Sequence, residues 1–505
     1  MQASIAKFGD FTSFPLNDSK ATRRRWLVTA LTGVAVLTGS PFASVAADSK
    51  SSGEQAAATK ITRVKSVLEV KGNVKLKNNQ AKKADDYRSA PIAAKSTLEY
   101  EEEFRAASSK SETVDEAAYQ TYSLAELDNL IGKHPTKLKL REPCREIIKI
   151  SSAGKMSTAC LNHPLTVAER DLVEGPLSTM HLERLLPSKA IELGDSWELD
   201  SIDAAKLLNL DEVTTGTIKI TLVDADAEFG QLELKGTLQG EIRNIGTKIK
   251  LEGKAKIDRK KGIISWLALS LEEDRDVSET EPGFTIQARI RILRERIDSM
   301  SSGQSLREVE SQLDEKNSIQ LSEFDSQLGA YRFVADRDWI TYNDSGVDAT
   351  LRWIQKNRVV AQCSVTNMTD MEPGRQLSIE GYQNDIQTSL AKRFSRFLEA
   401  DERISTTGLR MMRVVTLGQV ESVPVQWIHI LLSNDAGRHL ALAYSMNVSS
   451  VASFGTNDLQ MASTLEFTLK ELPVAPSESK PENAADAKAA EAKSAAKPAI
   501  VLPKR

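Results

Sequence analysis

The side chains best suited to chemistry are few, and the histidines come first. The five are His134, His163, His181, His429 and His439. No two of them are four residues apart, so the chain lacks the spacing that places two imidazoles on one helix face around zinc. His429 and His439 fall in neighbouring predicted strands, where two facing rings would form a metal pair. We expect two unrelated strand histidines instead.

Residues 194–196, Gly-Asp-Ser, resemble the nucleophile triplet of one lipase family. Trp197 and alternating apolar residues follow directly, and that order is typical of a tight turn that leads into a strand. The triplet therefore predicts a turn rather than a nucleophile.

Two acidic runs, residues 101–103 and residues 272–276, carry enough carboxylate to bind a cation or to serve as an acid–base pair. A calcium loop also needs a glycine and oxygens placed by a turn, and residues 101–103 have neither. We expect a solvated strand end in each case.

Nucleotide and redox motifs are missing from the sequence. It contains no Gly-x-Gly-x-x-Gly run, no P-loop and no Cys-x-x-Cys pair. Nucleotide binding, dithiol redox motifs and haem attachment therefore have no support. We predict no catalytic residue, no metal-binding residue and no cofactor.

The three cysteines are Cys144, Cys160 and Cys363. Cys144 and Cys160 bracket an apolar run at residues 146–150, which predicts a strand, and residues 151–154, which predict a hairpin turn. Strands paired across this turn would bring the two sulfurs within bonding range, and a disulfide there would stabilise the fold by roughly 3 kcal/mol. Two buried free thiols are the alternative. Cys363 lies in an apolar strand and predicts a small core residue.

The first 47 residues have the three parts of an export signal. Three arginines at residues 23–25 follow a polar lead, an apolar run covers residues 26–37, and small residues surround a cut site after Ala46 or Ala47. Export machinery and signal peptidase require these three features. We predict a cleaved signal peptide over residues 1–47 and a periplasmic or secreted protein.

The run at residues 22–27, Thr-Arg-Arg-Arg-Trp-Leu, resembles the twin-arginine signal family, in which two arginines precede one variable and two apolar residues. The long polar lead and an apolar run diluted by Thr and Gly suit that family, which exports folded proteins. An ordinary Sec signal is the alternative for the route. An uncleaved segment that anchors the protein to the membrane is the alternative for the location.

The bulk composition is that of a globular protein. Its 505 residues are 40% hydrophobic and 27% charged, which suffices for two or three domains. The formal net charge of −4 gives no reason to expect nucleic acid as a partner. After residue 47 no run approaches the roughly 20 apolar residues that span a bilayer, so membrane contact is expected only through the signal segment.

Composition and pattern divide the rest of the chain. A Ser-, Gly-, Ala- and Lys-rich start predicts a flexible spacer, and an Ala-, Lys-, Glu- and Pro-rich tail has too little apolar surface to fold. The predicted parts are the spacer at 48–60, a β-rich domain at 61–297, a linker at 298–320, an α/β/α sandwich domain at 321–472 and a disordered tail at 473–505.

Period-two alternation predicts the fold of the first domain. Helical stretches are expected at residues 114–130 and 164–187, and apolar residues then alternate with polar ones from Ile218 to Ile292. Such strands have one face in the core and one in water. We predict an antiparallel meander that curves into a half-barrel, with flanking helices against its apolar face.

Three short motifs of this domain carry a resemblance. They are Leu186-Pro187, the run at residues 194–197, and the turn at residues 258–262. In these motifs the domain resembles the β-rich bodies of exported bacterial proteins.

Helical periodicity marks the second domain. Apolar residues recur every three or four positions over residues 378–398, which predicts an amphipathic helix. Strands are predicted on both sides of it. A second, short helix is predicted at residues 457–463, with Asn457 as its cap.

The order of the second domain resembles the PsbP/Mog1-like family. The matching points are Asp338-Trp339, the helix start at residues 377–382 and the ending at residues 463–467. The resemblance implies an α/β/α sandwich that serves binding or assembly rather than catalysis, and it carries over no functional residue.

The whole chain is therefore predicted to be α+β, and a non-enzymatic binding or assembly module of the periplasm or cell envelope. A partly open concave sheet face, rich in Leu and Ile, would contact an apolar or polymeric envelope ligand, and the sandwich domain would contact a protein. The alternative is an exported hydrolase whose active site lies in a cleft between the domains and holds His429 or His439.

Overall fold

The computed structural model describes residues 60–77, 87–106, 116–152, 155–187, 191–243, 245–278, 281–312, 321–355 and 358–468. The predicted signal peptide, all but the last residue of the predicted spacer, and the predicted disordered tail lie outside the described residues.

One large antiparallel sheet is built from the first part of the chain. Its strands are β1 (Lys60–Lys77), β2 (Tyr87–Arg105), β3 (Glu116–Ile131), β4 (His134–Lys139), β5 (Glu146–Ser152), β6 (Lys155–Cys160), β7 (Ser196–Leu199), β8 (Glu212–Ala225), β9 (Phe229–Ile242), β10 (Ile245–Asp258), β11 (Ile263–Arg275) and β12 (Gly283–Arg296). The order across the sheet is β6-β5-β3-β2-β1-β12-β11-β10-β9-β8-β7, and β4 pairs with β3 beside this path. β1 and β12, which are the first and last strands of this sheet along the chain, therefore pair with each other in its interior.

Alternating burial explains why these segments are strands. In β12, Phe284, Ile286, Ala288 and Ile290 are buried, whereas the residues between them are exposed. Burial of apolar surface stabilises by about 25 cal/mol per Å², so each strand contributes its apolar residues to a shared inner face. The predicted antiparallel half-barrel arrangement follows from this pattern.

The outer face of the sheet is solvated and charged. One row of directly opposed residues crosses it from β7 to β4, and acid faces base at most steps. The row, called the charged row below, is Glu198, Lys219, Lys235, Glu252, Ser270, Arg289, Glu69, Lys95, Asp128 and Lys137. Opposite charges that face each other across strands stabilise a sheet, so this row favours the observed register.

The helices are short. They are α1 (Val167–Glu174), α2 (Ser201–Leu207), α3 (Leu306–Gln312), α4 (Ile379–Leu390), α5 (Val451–Phe454) and α6 (Asn457–Ser463), with 3-10 helices at Glu142–Cys144, Thr179–Leu185, Ala391–Arg393 and Val448–Ser450. None of the helices within the described ranges has the length and apolar content that crossing a bilayer requires.

The chain between the two edges of the large sheet covers its inner face. Strands β6 and β7 lie at opposite edges, so the connection between them must cross the concave side. Leu172 of α1, Leu182 and Leu185 of the 3-10 helix Thr179–Leu185, and Leu207 of α2 share one core with the inner residues of the sheet. We call these three helices the plug.

One predicted helix of this part is wrong. A helical stretch is predicted at residues 114–130, of which the structure describes residues 116–130. The structure has β3 there, paired with β2 from Ala117 to Ile131. Hydrogen bonding to a neighbouring strand outweighs the helical preference of the local sequence, because that preference is weak compared with tertiary contacts. The helical expectation at residues 164–187 agrees with α1 and the 3-10 helix.

The second part of the chain has ten strands in two sheets. They are β13 (Leu321–Ser326), β14 (Tyr331–Asp336), β15 (Trp339–Asp344), β16 (Asp348–Gln355), β17 (Arg358–Asn367), β18 (Phe394–Ile404), β19 (Arg410–Val420), β20 (Val423–Ser433), β21 (His439–Asn447) and β22 (Glu466–Phe467). Seven form an antiparallel sheet in the order β15-β16-β17-β21-β20-β19-β18, and β13, β14 and β22 form a small sheet.

Helices and the small sheet cover the two faces of the seven-stranded sheet. Tyr382, Ile386 and Leu390 of α4 pack on one face. On the other face, Met461 of α6 and Phe333 of β14 share a core with the sheet. The layered arrangement and the large sheet together confirm the predicted α+β class.

Helix α4 is shorter than predicted. Ser378 caps its start by accepting a hydrogen bond from the Gly381 amide at 3.1 Å. The helix ends at Leu390, and Ala391 has a φ of +45°, which a helix cannot continue. Phe394, expected in the helix, begins β18 instead. Helix α6 has its predicted bounds, but the predicted cap is wrong: Thr456 is the N-cap, and Asn457 is the first helical residue.

Contacts around β13 connect the two parts, and we call them the joint. The Glu323 amide donates to the Leu165 carbonyl at 3.0 Å, and Arg170 donates to the Leu321 carbonyl at 3.1 Å. Arg141 lies between two carboxylates, donating to Glu169 at 2.7 Å and to Glu323 at 2.6 Å. The joint is therefore partly buried and charged.

The described portion of the predicted linker packs against the large sheet. Met300, Leu306 and Val309 are buried and share a small core with Tyr119 and Ile148. Residues 298–312 therefore cover the outer side of β3 and β5.

Candidate functional site

A buried hydrogen-bond network lies between the plug and the large sheet. The Glu102 carboxylate accepts from Gln120 Nε2 at 2.6 Å and from Thr179 Oγ1 at 2.8 Å. The hydroxyl of Tyr100 is 2.8 Å from Thr179 Oγ1, and Tyr122 donates to Gln120 Oε1 at 2.8 Å. Burial raises the pKa of both tyrosines, so they remain protonated at neutral pH. This network fixes the plug to the sheet.

A cavity of about 40 Å³ adjoins the network, with Lys149 and Glu174 in its wall. Lys149 donates to the Val173 carbonyl at 2.8 Å, and burial lowers the pKa of Lys149 although the charges of Glu102 and Glu174 raise it. Neither oxygen of Glu174 has a hydrogen-bond partner among the described residues. Because each buried water needs roughly 10–15 Å³, the cavity suits a few waters that hydrate these charges rather than an organic ligand.

Glu116 is the second buried carboxylate that holds the plug. It accepts from His181 Nε2 at 2.9 Å and from Lys206 Nζ at 3.1 Å, and it also pairs with Arg184. Burial raises the pKa of Glu116, but the hydrogen bond from His181 and the three nearby cationic groups outweigh it and lower that pKa to about 2. His181, which carried no predicted role, therefore serves to position the 3-10 helix.

His429 and His439 do not face each other. His429 in β20 is directly opposite Ala443, whereas His439 is opposite Ser433. Four strand positions separate them, which is roughly 13 Å at the spacing of a β-strand. Burial lowers the pKa of His429 to about 4, so this ring is neutral at physiological pH. The expectation of two unrelated strand histidines agrees with this geometry.

Each of these two rings is enclosed by the fold. His429 Nε2 is buried without a hydrogen-bond partner in the described structure, and the ring lies on the face of the sheet that α4 covers. His439 Nδ1 is 2.7 Å from the Gly437 carbonyl. Among the residues that the structure describes, neither ring is hydrogen-bonded to the acid or hydroxyl that a hydrolase centre needs.

The solvated strand end expected at residues 101–103 is wrong. All three glutamates are buried. Glu101 accepts from the Ser301 amide at 2.6 Å, and Glu103 accepts from the Leu306 amide at the start of α3 at 2.7 Å. The first backbone amides of a helix have no hydrogen-bond acceptor within the helix, so those of α3 need one from elsewhere. Sequence reasoning missed this signal.

The other chemical candidates have structural roles. Ser196 Oγ is 2.8 Å from Thr221 Oγ1 at the start of β7, after the turn at Gly194, so the Gly-Asp-Ser triplet forms the expected turn into a strand. The solvated strand end expected at residues 272–276 is wrong for Glu273, which is buried and accepts from Arg275 at 2.7 Å. Glu272 and Asp274 of the same run are exposed.

The cysteines are all buried and unbonded. Cys160 ends β6 opposite Ile147, whereas Cys144 ends a 3-10 helix, so the two do not lie on paired strands as expected. Their thiols are nevertheless hydrogen-bonded neighbours. Cys363 is a fully buried residue of β17, as expected, and burial raises the pKa of its thiol.

An open depression of about 410 Å³ lies on the second part of the chain. Leu328 and Val347 both line it and are 63% and 62% exposed, so they form a small exposed apolar patch. Asp370 and Arg438 are in the same wall. Arg438 donates to the Ala330 carbonyl at 2.9 Å and lies over the ring of Phe467. The lining thus combines apolar and polar side chains, as protein contact surfaces do.

Within the described ranges, no group of three or more His, Cys, Asp and Glu side chains has an arrangement that could hold a metal ion.

Comparisons with known proteins give partial structural similarity. No protein-family model matches the chain, and no curated protein matches it. Part of the chain is similar to cyanobacterial PsbP from Synechocystis (15% identity, TM-score 0.24, covering 29% of this chain and 92% of that one). It is also similar to the Ran-binding protein Mog1p of Saccharomyces cerevisiae (12% identity, TM-score 0.22, covering 29% and 95%).

A third similar structure comes from Bacteroides thetaiotaomicron, with 9% identity, a TM-score of 0.24, and coverage of 30% of this chain and 50% of that one. At these TM-scores the similarities support no argument about function.

Proposed function

We propose that this chain is a non-enzymatic binding or assembly module that acts after export, in the periplasm or cell envelope, and that its partner is a protein. The observation that carries the proposal is the depression around Leu328 and Val347, where two exposed apolar side chains line one open depression of about 410 Å³.

The same observations argue against an apolar ligand in the half-barrel. The inner face was expected to be partly open, but its Leu and Ile residues are buried beneath the plug. The adjoining cavity of about 40 Å³ is too small for a lipid or a polymer segment. We therefore do not propose that the large sheet binds an apolar or polymeric ligand.

The hydrolase alternative has less support. It needs His429 or His439 in a cleft beside a carboxylate or hydroxyl, and both rings are buried in the seven-stranded sheet. We retain a single proposal for this reason.

Binding to a protein partner can be tested with the chain from residue 48 onward. The immobilised chain is incubated with cell-envelope extract, and each enriched protein is then purified and titrated. In the test variant, Leu328→Asp with Val347→Asp, a charge is placed in the centre of the depression. We expect the dissociation constant to rise at least about tenfold, which corresponds to roughly 1.4 kcal/mol.

The matched control is Leu193→Asp with Ile202→Asp. These residues are 65% and 68% exposed on the first part of the chain, so the control changes equally exposed apolar residues outside the depression. Equal binding by both variants would refute the proposed contact surface. A chain that ends at Leu472 and binds about tenfold tighter would assign the depression to the chain's own tail.

A further inference from the structure

Two thiols meet at one edge of the large sheet. Cys144 is the last residue of the 3-10 helix Glu142–Cys144, and Cys160 is the last residue of β6. The thiols are hydrogen-bonded to each other, and Cys160 Sγ is 3.3 Å from the Pro143 carbonyl. Both side chains are buried, so the two thiols are shielded from solvent together.

The surroundings shift the pKa values of the two thiols in opposite directions. The hydrogen bond from Cys144 and the backbone amides of Asn162 and His163 lower the pKa of Cys160, although burial opposes them. The pKa of Cys144 is raised, first by its hydrogen bond with Cys160 and then by burial. A thiolate is the attacking species in disulfide exchange, so Cys160 is suited to react first.

We infer that Cys144 and Cys160 form a dithiol–disulfide site, in which Cys160 attacks an incoming disulfide and Cys144 completes the internal bond. In the first step the Cys160 thiolate bonds to one sulfur of the donor and expels the other as a thiolate. In the second step Cys144 loses its proton and attacks the Cys160 sulfur, which releases the second donor thiolate. The donor disulfide is thereby reduced to two thiols, and the protein dithiol is oxidised to one disulfide.

An incoming disulfide can reach the two buried thiols because they lie at an edge of the large sheet. Strand β6 pairs only with β5, and six residues at a sheet edge open locally more readily than interior strands. The new bond would tie β6 to the turn that carries Arg141. The disulfide would thus strengthen the side of the sheet where the joint begins.

Redox titration of the wild-type chain tests the site without any substitution. The protein is equilibrated in glutathione buffers that span reducing to oxidising ratios, unfolded in a thiol-blocking reagent, and weighed by mass spectrometry. We expect one transition in which the chain loses two hydrogen atoms and two blocking groups. A peptide map should link Cys144 to Cys160, and Cys363 should be blocked in every buffer.

Three single variants complete the test. Cys363→Ser is the matched control, because it removes a buried thiol outside the pair and should leave the titration unchanged. Cys144→Ser should trap one glutathione on Cys160 severalfold faster than Cys160→Ser traps one on Cys144. Failure of the wild-type pair to cross-link in the most oxidising buffer, a cross-link to Cys363, or equal trapping in the two variants would each overturn the inference.

Discussion

Glu116 shows how much of the plug's attachment depends on one carboxylate. It is 3% exposed and meets His181, Arg184 and Lys206, which come from two helices of the plug. A buried charge is costly unless opposite charges and hydrogen bonds compensate it, so all four groups depend on one another. Replacement of the carboxylate leaves the three others without their shared acceptor.

We therefore expect Glu116→Gln to lower the free energy of unfolding by roughly 3 kcal/mol at pH 7. The pKa of Glu116 is lowered to about 2 in the folded state, so its contribution is present above the unfolded value of about 4.5 and is lost as the pH falls towards 2. The stability of the variant should fall less than that of the wild type over this interval. Urea unfolding between pH 2 and 7 measures both effects.

Glu126→Gln is the control for this prediction, because Glu126 is 48% exposed and pairs with Lys139 on the outer face. It should change the free energy of unfolding by less than about 1 kcal/mol. Parallel acid profiles for the wild type and Glu116→Gln would show that Glu116 is not the titrating group.

The role of a residue could be predicted from the sequence only where it depends on residues close to it in the chain. The turn at Gly194 and the buried thiol of Cys363 follow from their immediate neighbours. The proximity of Cys144 and Cys160 was also expected, but on paired strands rather than through a 3-10 turn. The partners of Glu116 lie 65 or more positions away, and no spacing rule indicates such contacts.

Among the elements, the charged row on the outer face has the clearest testable consequence. Lys95 in β2 lies directly between Glu69 of β1 and Asp128 of β3. We expect Lys95→Glu to destabilise the sheet, because three acids would then face one another. Each opposed pair contributes roughly 0.2–1 kcal/mol.

Urea unfolding at low salt measures this loss, and 1 M salt should remove most of it because screening then acts over about 3 Å. Lys71→Glu is the matched control. Lys71 is also an exposed lysine of the outer face, but its neighbours across the strands are Gln287 and Ala93, which are uncharged. Equal losses in the two variants would mean that the row does not contribute through charge.

Strands and helices with a clear hydrophobic periodicity could be predicted from the sequence. Elements that depend on pairing with distant strands could not. The alternation from Ile218 to Ile292 predicted β8 to β12. In β3, Leu124, Leu127 and Leu130 have helical spacing, and it is the pairing with β2, β4 and β5 that decides for a strand. Phe394 continues the periodicity of α4, but the chain turns at Ala391 so that β18 can pair with β19.

At the scale of the whole molecule, the joint decides whether the two parts unfold together. Arg141 forms ion pairs with both Glu169 and Glu323, whose side chains are 2% and 9% exposed. Removal of one partner from a buried ion pair costs roughly 3–5 kcal/mol. We expect Arg141→Met to split a single calorimetric unfolding transition into two and to speed amide exchange in β13.

Arg145→Met is the control, because Arg145 pairs with Glu142, which is 73% exposed. That pair is worth at most about 1 kcal/mol, so one transition should remain. A single transition in Arg141→Met as well would show that other contacts of the joint suffice. The sequence contained no indication of the joint, since its residues come from segments that were assigned to separate domains.

The pairing of β1 with β12 has a consequence for biosynthesis. Thr62 of β1 lies opposite Arg296 of β12, so one edge of β1 has no partner until most of the sheet has left the ribosome. At 5–20 residues per second, that interval lasts roughly 10–50 s. An unfinished strand edge invites pairing between nascent chains during this time, so we expect production of this protein to depend on chaperones that hold the emerging chain.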